Sequence, residues 1–310
     1  MNIFRIPLGV ASLAVVVAGQ TLPYNPTRVL LADNSSTAYI FQTSNTSLGQ
    51  SRLLSLDLSN PISTAQTAFT QLADGFPFLE ADRVRPFAPV IDSNGNITAF
   101  TGDCADGAQG SQVWRFSPSQ GSSVGNGTWQ EYKTAVQDVG EQEEQAGANF
   151  LAAGMTFSEY KDGNTSDTSI YIFGGMCPDA NSSADTWTSN ANYSNLMLTL
   201  SAQQSDVGYS DYDVDLASAR GPPIAEAGFT ITGLQPTYSA PNLDGSQKQQ
   251  QNFVLLGGHT QAAFINMSQV ALFSLPQESW TFLPVTQPQG STQVEPRSGH
   301  TAVLLSLIHI

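Results

Sequence analysis

The residues of this 310-residue chain that could hold a metal or carry a proton are few. Histidine occurs three times, at His259, His300 and His309, and cysteine twice, at Cys104 and Cys177. A copper or zinc centre needs three or four imidazole, thiolate or carboxylate ligands converging on one point. His259 and His300, without a third imidazole or a thiolate, do not make one. The stretch "DYDVD" (211–215) would place Asp211, Asp213 and Asp215 on one face of a strand. A calcium loop of the EF-hand type, counted from Asp211, requires glycine at its sixth place and glutamate at its twelfth, where Leu216 and Pro222 stand. The pattern fails, and a solvated outer strand is the simpler reading. The acidic "DVGEQEEQ" (138–145) reads as a loop by the same logic. With 26 acidic residues, no carboxylate pair for sugar hydrolysis can be singled out. The glycine pairs Gly174-Gly175 and Gly257-Gly258 lack the Lys or Ser/Thr and the helix that would follow in a phosphate-cradling loop.

Those glycine pairs close strand-like runs, and the runs recur. "STAYIFQTSNTS" (36–47), "NITAFTGDCADG" (96–107), "SIYIFGGMCPDA" (169–180) and "NFVLLGGHTQAA" (252–263) align, in steps of 60, 73 and 83 residues. Each is followed by a second apolar run: "RLLSLDL" (52–58), "QVWRFS" (112–117), "NLMLTL" (195–200) and "QVALFSL" (269–275). A third run then comes after a turn: "TAQTAF" (64–69), "GTWQEY" (127–132), "GYSDYDVDL" (208–216) and "SWTFLPV" (279–285). A further run precedes each unit: "RVLLAD" (28–33), "PFAPVID" (86–92), "ANFLAAG" (148–154) and "AGFTITG" (227–233). Four short strands per unit, repeated with turn residues between, predict an all-β fold of the β-propeller kind.

A diglycine closing the second strand, an apolar or aromatic third strand and a tryptophan about six residues beyond an aromatic resemble the kelch repeat. The best copy is 254–285, with Gly257-Gly258, Phe273 and Trp280; 171–200 carries Gly174-Gly175 but a long insertion and no clean tryptophan partner. The units at 36–47 and 96–107 have lost one or both glycines, and "PRSGHTAVL" (296–304) resembles the opening of another unit. The resemblance covers nearly all of 20–304. It implies a kelch-type propeller of four-stranded antiparallel blades, about four of them plus the start of another, similar to secreted and cell-surface kelch proteins of filamentous fungi. In such a blade the glycines are structural: without Cβ a strand end can take dihedrals closed to other residues and let bulky neighbours lie on the backbone.

The bulk composition agrees with a secreted protein. "MNIFRIPLGVASLAVVVAGQ" has a positive start, an apolar run of about 13 residues and small residues before a cut ahead of Gln20, so 1–19 reads as a signal peptide. That run is short for a membrane span, and no later stretch within these residues reaches spanning length. Asn-X-Ser/Thr acceptor sequences stand at Asn34, Asn45, Asn96, Asn126, Asn164, Asn181, Asn192 and Asn266 and predict surface loops. A net charge of −15 disfavours a nucleic-acid partner, which would need clustered Lys and Arg. Cys104 in "FTGDC" and Cys177 in "FGGMC" occupy matching places in successive units, and in an oxidising compartment they are expected to form a disulfide between blades, the alternative being two buried thiols. After residue 304 a kelch unit should continue to a turn and another apolar strand. "LSLIHI" (305–310) instead resembles the translation of a common sequencing adaptor, so the coding sequence is expected to continue differently, with any membrane anchor in that part.

Two functions follow from the resemblance. One is a non-catalytic scaffold, free of cofactors, whose loops bind a protein or a cell-wall polysaccharide. The other is a copper radical oxidase of the galactose oxidase kind, which needs Tyr and His ligands and a Cys joined to a Tyr. The expected pairing of Cys104 with Cys177 disfavours the second, whose ligands would partly lie beyond position 310.

Overall fold

The computed structural model describes residues 27–32, 37–43, 51–59, 69–79, 85–92, 95–104, 106–117, 127–136, 146–161, 164–179, 182–183, 185–205, 208–217, 224, 226–243, 247–286, 290, 294–302 and 304, with side chains at 108–109, 160–167 and 204–210 left aside. The expected signal peptide (1–19) and foreign tail (305–310) lie outside them.

The described residues are almost entirely β. The first antiparallel meander is β1 (Arg28–Leu31), β2 (Thr37–Gln42), β3 (Arg52–Asp57) and β4 (Thr70–Asp74). The second is β5 (Phe87–Ile91), β6 (Ile97–Thr101), β7 (Gln112–Ser117) and β8 (Thr128–Val136), with a 3-10 turn at Gly107–Gly110. In the third, β9 (Ala153–Lys161) and β10 (Asn164–Phe173) are followed by a small hairpin, β11 (Met176–Pro178) with β12 (Ala191–Tyr193). β13 (Met197–Ser205) and β14 (Gly208–Leu216) complete that meander. The fourth holds β15 (Thr230–Gly233), a short β16 (Thr237–Tyr238) on its flank, β17 (Gln249–Leu256), β18 (Gln269–Leu275) and β19 (Ser279–Pro284).

Alternation of side chains explains each strand. Along β18, Ala271, Phe273 and Leu275 are buried while the residues between them are not, the period-2 pattern of a sheet with one covered face. β6 is buried at all five positions, as befits a strand covered on both faces. The faces pair off in sequence. Phe41, Leu53, Phe87, Ala99 and Phe116 form the core between the first and second meanders. Val90, Phe100, Val113, Ile172, Leu200 and Val214 fill the space between the second and third. Phe157, Phe173, Phe229, Phe253, Leu255 and Phe273 do so between the third and fourth. The opening strands β1, β5, β9 and β15 are successive neighbours, and the Thr156 hydroxyl of β9 donates to the Ile91 carbonyl of β5 at 2.9 Å. The whole is propeller-like: antiparallel sheets stacked face to face about their first strands.

Several details differ from the sequence reading, among them the start of the fourth meander at Thr230 where 227 was expected. The last strand of the first meander is 70–74, where 64–69 was expected, and residues 64–68 lie outside the description. The opening strand of the third begins at Ala153 rather than at 148, because 148–152 forms a bend with Leu151 at φ 60°. "DYDVD" belongs to β14, which is not an outer edge: β14 pairs with β13 on one side and, in parallel, with β8 on the other. The second and third meanders thereby become one eight-stranded sheet, whose two end strands, β5 and β9, touch so that it is partly closed. Joining β8 to β14 removes two unpaired strand edges, which are otherwise templates for aggregation.

Candidate functional site

Among the described residues three equivalent bends stand before the third meander, before the fourth and after the fourth: Asn149-Phe150-Leu151, Glu226-Ala227-Gly228 and Arg297-Ser298-Gly299. Their third residues all adopt left-handed backbone, with φ of 60°, 69° and 66°. They are also linked in series, since the Gly228 amide donates to the Leu151 carbonyl (2.9 Å) and the Gly299 amide to the Gly228 carbonyl (2.7 Å). Each glycine pair docks on the following bend. The Gly175 amide donates to the Glu226 carbonyl at 2.8 Å and the Gly258 amide to the Arg297 carbonyl at 2.7 Å.

The need for glycine is visible at these places. Gly174 and Gly175 have φ of 65° and 90°, and Gly257 and Gly258 have 64° and 93°. A Cβ on Gly258 would lie 2.8 Å from the Ala227 carbonyl oxygen, and one on Gly175 would lie 2.8 Å from that of Phe150. Gly258→Ala is therefore expected to cost about 2–3 kcal/mol, from left-handed strain plus overpacking against backbone that cannot yield. Gly95→Ala, also at positive φ but with nothing within 4 Å, should cost about 1 kcal/mol. Urea midpoints of the two variants check the difference.

The residue types capable of chemistry are held in these joints. Cys104 and Cys177 form a disulfide, with Cα atoms 5.5 Å apart, joining the second meander to the hairpin of the third. His259 is buried beside Trp187, Tyr193 and Phe264, and its Nδ1 shares a 2.7 Å hydrogen bond with the Ser298 hydroxyl. Burial holds its pKa below the ordinary histidine value. His300 lies over Gly257, where a Cβ would come within 2.6 Å of its ring, and its Nε2 is 3.5 Å from the Thr230 hydroxyl. Burial first, then the Arg297 and Arg28 charges, lower its pKa. Burial pushes the Tyr193 phenol up to about 12, and its hydroxyl donates to the Thr188 carbonyl at 3.0 Å. Among the described residues no three His, Cys, Asp or Glu side chains gather as a metal site would require.

Phe273 and Trp280 face each other across β18 and β19 with ring centroids 5.0 Å apart, and Trp280 also meets Phe173 of the preceding meander at 5.1 Å. The second meander repeats the arrangement with Phe116 and Trp129, at 5.2 Å. The sequence reading missed this pair because its unit lacks a diglycine and residues 118–126 intervene. Gly127 could have signalled it: a Cβ there would come within 1.8 Å of the Phe116 ring. Of the expected glycan acceptors, Asn192 is exposed on β12. Asn96 is half-buried, its amide donating to Asp92 at 2.8 Å, and Asn266 accepts from the backbone and hydroxyl of Ser268 at 3.0 Å each. Asn34, Asn45, Asn126 and Asn181, and the side chain of Asn164, lie outside the description. "GSSVG" (121–125) has the spelling of a serine-nucleophile elbow; it too lies outside the described residues.

Among the described residues, two sizeable clefts are open to a ligand. The first, of 490 Å³, lies among the opening strands and is lined by uncharged polar groups, including Thr156, Ser158, Thr232, Tyr238, Gln249 and Gln251. Several of their donors are engaged: Thr232 with the Ala302 carbonyl (3.2 Å), Gln249 with that of Ser158 (3.3 Å), and Gln251 with that of Leu234 (3.2 Å). No charged side chain occurs among its described lining residues. The second cleft, of 410 Å³, is apolar except for Glu226, Ser268 and Gln269. Burial raises the Glu226 carboxyl from 4.5 to about 8. The folded protein thus keeps a proton that the unfolded chain releases, so this group's stabilising contribution is complete below about pH 4.5 and is lost as pH rises to about 8. Glu226→Gln should flatten that part of the profile when urea midpoints are compared at pH 5 and pH 8.

No protein-family model and no curated protein matches the sequence. A solved structure titled "Cryo-EM structure of RAG in complex with one melted RSS and one unmelted RSS" is similar over 85% of this chain and 67% of that one, with 11% identity and a TM-score of 0.42. A likeness at that level carries no argument. The disulfide fits an extracellular protein, and no helix among the described residues is long and apolar enough to cross a membrane.

Proposed function

We propose that the chain is a kelch-type β-propeller whose four meanders are blades, and that it acts outside the cell as a non-catalytic scaffold binding a protein or a wall polysaccharide. One observation carries the reading: the side chains best suited to catalysis are committed to joints between blades. Both cysteines close a disulfide, His259 is hydrogen-bonded to the bend that opens the next unit, and His300 packs on a glycine of the blade before it. The uncharged hydroxyl and amide lining of the central cleft suits hydrogen bonding to a sugar or a peptide backbone, neither of which needs an ion-pair partner.

The test is co-sedimentation of the secreted protein with insoluble wall polysaccharide and binding to a glycan array, run beside copper analysis and an alcohol-oxidase assay. Saturable binding by metal-free, inactive protein is the expected result. Stoichiometric copper with hydrogen peroxide formed from a primary alcohol would replace the scaffold by a copper radical oxidase.

A further inference from the structure

Glu226 is 5% exposed, and its side chain has no hydrogen-bond or ion-pair partner among the described residues. Its backbone explains why a residue must stand there, since the Glu226 carbonyl receives the Gly175 amide. The joint does not explain the carboxylate. At the equivalent place in the preceding bend, the Asn149 side chain donates to the Gly174 carbonyl at 3.3 Å, a structural use that Glu226 lacks. Glu226 instead lines the 410 Å³ cleft, whose other walls include Leu255, Val270, Ala271, Phe282 and Leu283.

A buried carboxylate without a partner is costly, and a ligand supplying both positive charge and N–H donors would remove that cost. The walls restrict such a ligand to one with an apolar stem. Phe282, 55% exposed, is an aromatic wall that a cation can approach, and the net charge of −15 draws cations towards the protein. With the carboxyl protonated near neutral pH, an anion or a neutral alcohol would gain a hydrogen bond but not the charge pairing that a cation obtains on displacing the proton.

We propose that the cleft at Glu226 is a binding site for an organic cation, an alkylammonium or guanidinium group on a short aliphatic stem, with its N–H groups on the Glu226 carboxylate and its stem against Val270, Phe282 and Leu283. This site is separate from the central cleft and stands whether or not the protein is a scaffold. The cation can be a free amine or the basic side chain of a protein. Glu226 is the sole titratable side chain among the described lining residues, and burial raises its proton affinity. Binding should therefore displace the Glu226 proton at neutral pH.

Calorimetric titration of the full chain with n-butylammonium at pH 6, 7 and 8, in buffers of different ionisation enthalpy, tests the site. The expected outcome is saturable binding that strengthens with pH, release of up to one proton per site at pH 7, and no binding of n-butanol. Glu226→Gln should lower affinity at least tenfold, and Leu283→Ser, on the exposed outer strand, should lower it several-fold. Tighter binding of Nα-acetyl-lysine methylamide than of n-butylammonium would identify a basic side chain as the natural occupant, and the reverse a free amine. Equal binding of butylammonium and butanol, unchanged affinity in Glu226→Gln, or no saturable binding by wild-type protein would overturn the proposal. If Glu226→Gln fails to fold, Leu283→Ser decides, because a cation bound away from this cleft keeps its affinity in that variant.

Discussion

Replacing Trp280 with alanine is expected to destabilise the protein by about 3 kcal/mol, towards the lower end for a large aromatic because Trp280 is only half-buried. The side chain is the contact between two sheets: it touches Phe273 within its own meander and Phe173, which is fully buried, in the one before. Removing it opens a cavity against two rings fixed from both sides, and such a site collapses poorly. A Trp280→Ala/Phe173→Leu double-mutant cycle should show a coupling of about 0.5–1.5 kcal/mol for the ring pair. A loss below 1 kcal/mol in urea denaturation, at unchanged m-value, would mean that the two sheets do not meet at this tryptophan.

Loss of the disulfide should cost about 4 kcal/mol on the chain-entropy view, since the bridge closes a loop of 73 residues. The bond ties the end of the second meander to the hairpin inserted in the third, near a small core of Phe150, Leu151, Met176 and Ala227 that also holds the first two bends. The Cys104→Ala/Cys177→Ala double variant is the cleaner test, because a single variant leaves a free thiol that can exchange. Its urea midpoint, compared with that of the oxidised protein, should fall by the equivalent of several kcal/mol. Peptide mapping without reduction should recover Cys104 linked to Cys177; two alkylatable thiols would contradict the bond.

Much of the strand content was legible because each strand obeys a local rule. "QVALFSL" alternates buried and half-buried residues over 269–275, and the observed strand has those same bounds. Pairing between strands distant in sequence was not legible. Nothing in "DYDVD" says that its far side will meet β8, since alternation reports which face is covered and not which neighbour fills the edge. The glycine pairs were readable because glycine at positive φ is a residue-type signal, whereas the same conformation at Leu151 is imposed by its surroundings and leaves no mark in the sequence. Glu226 was invisible for a related reason: a single acid in a bend among 26 acidic residues gains meaning only when the fold buries it beside an apolar cleft.

An experimental crystal structure of the protein tests the repeated joint most directly, and the distances that decide are those between the bends. The expected finding is Gly175 and Gly258 in left-handed backbone, their amides on the carbonyls of Glu226 and Arg297, with the Gly228 amide on Leu151 and the Gly299 amide on Gly228. Glycine pairs in extended backbone, or bends that do not follow one another in that series, would contradict it.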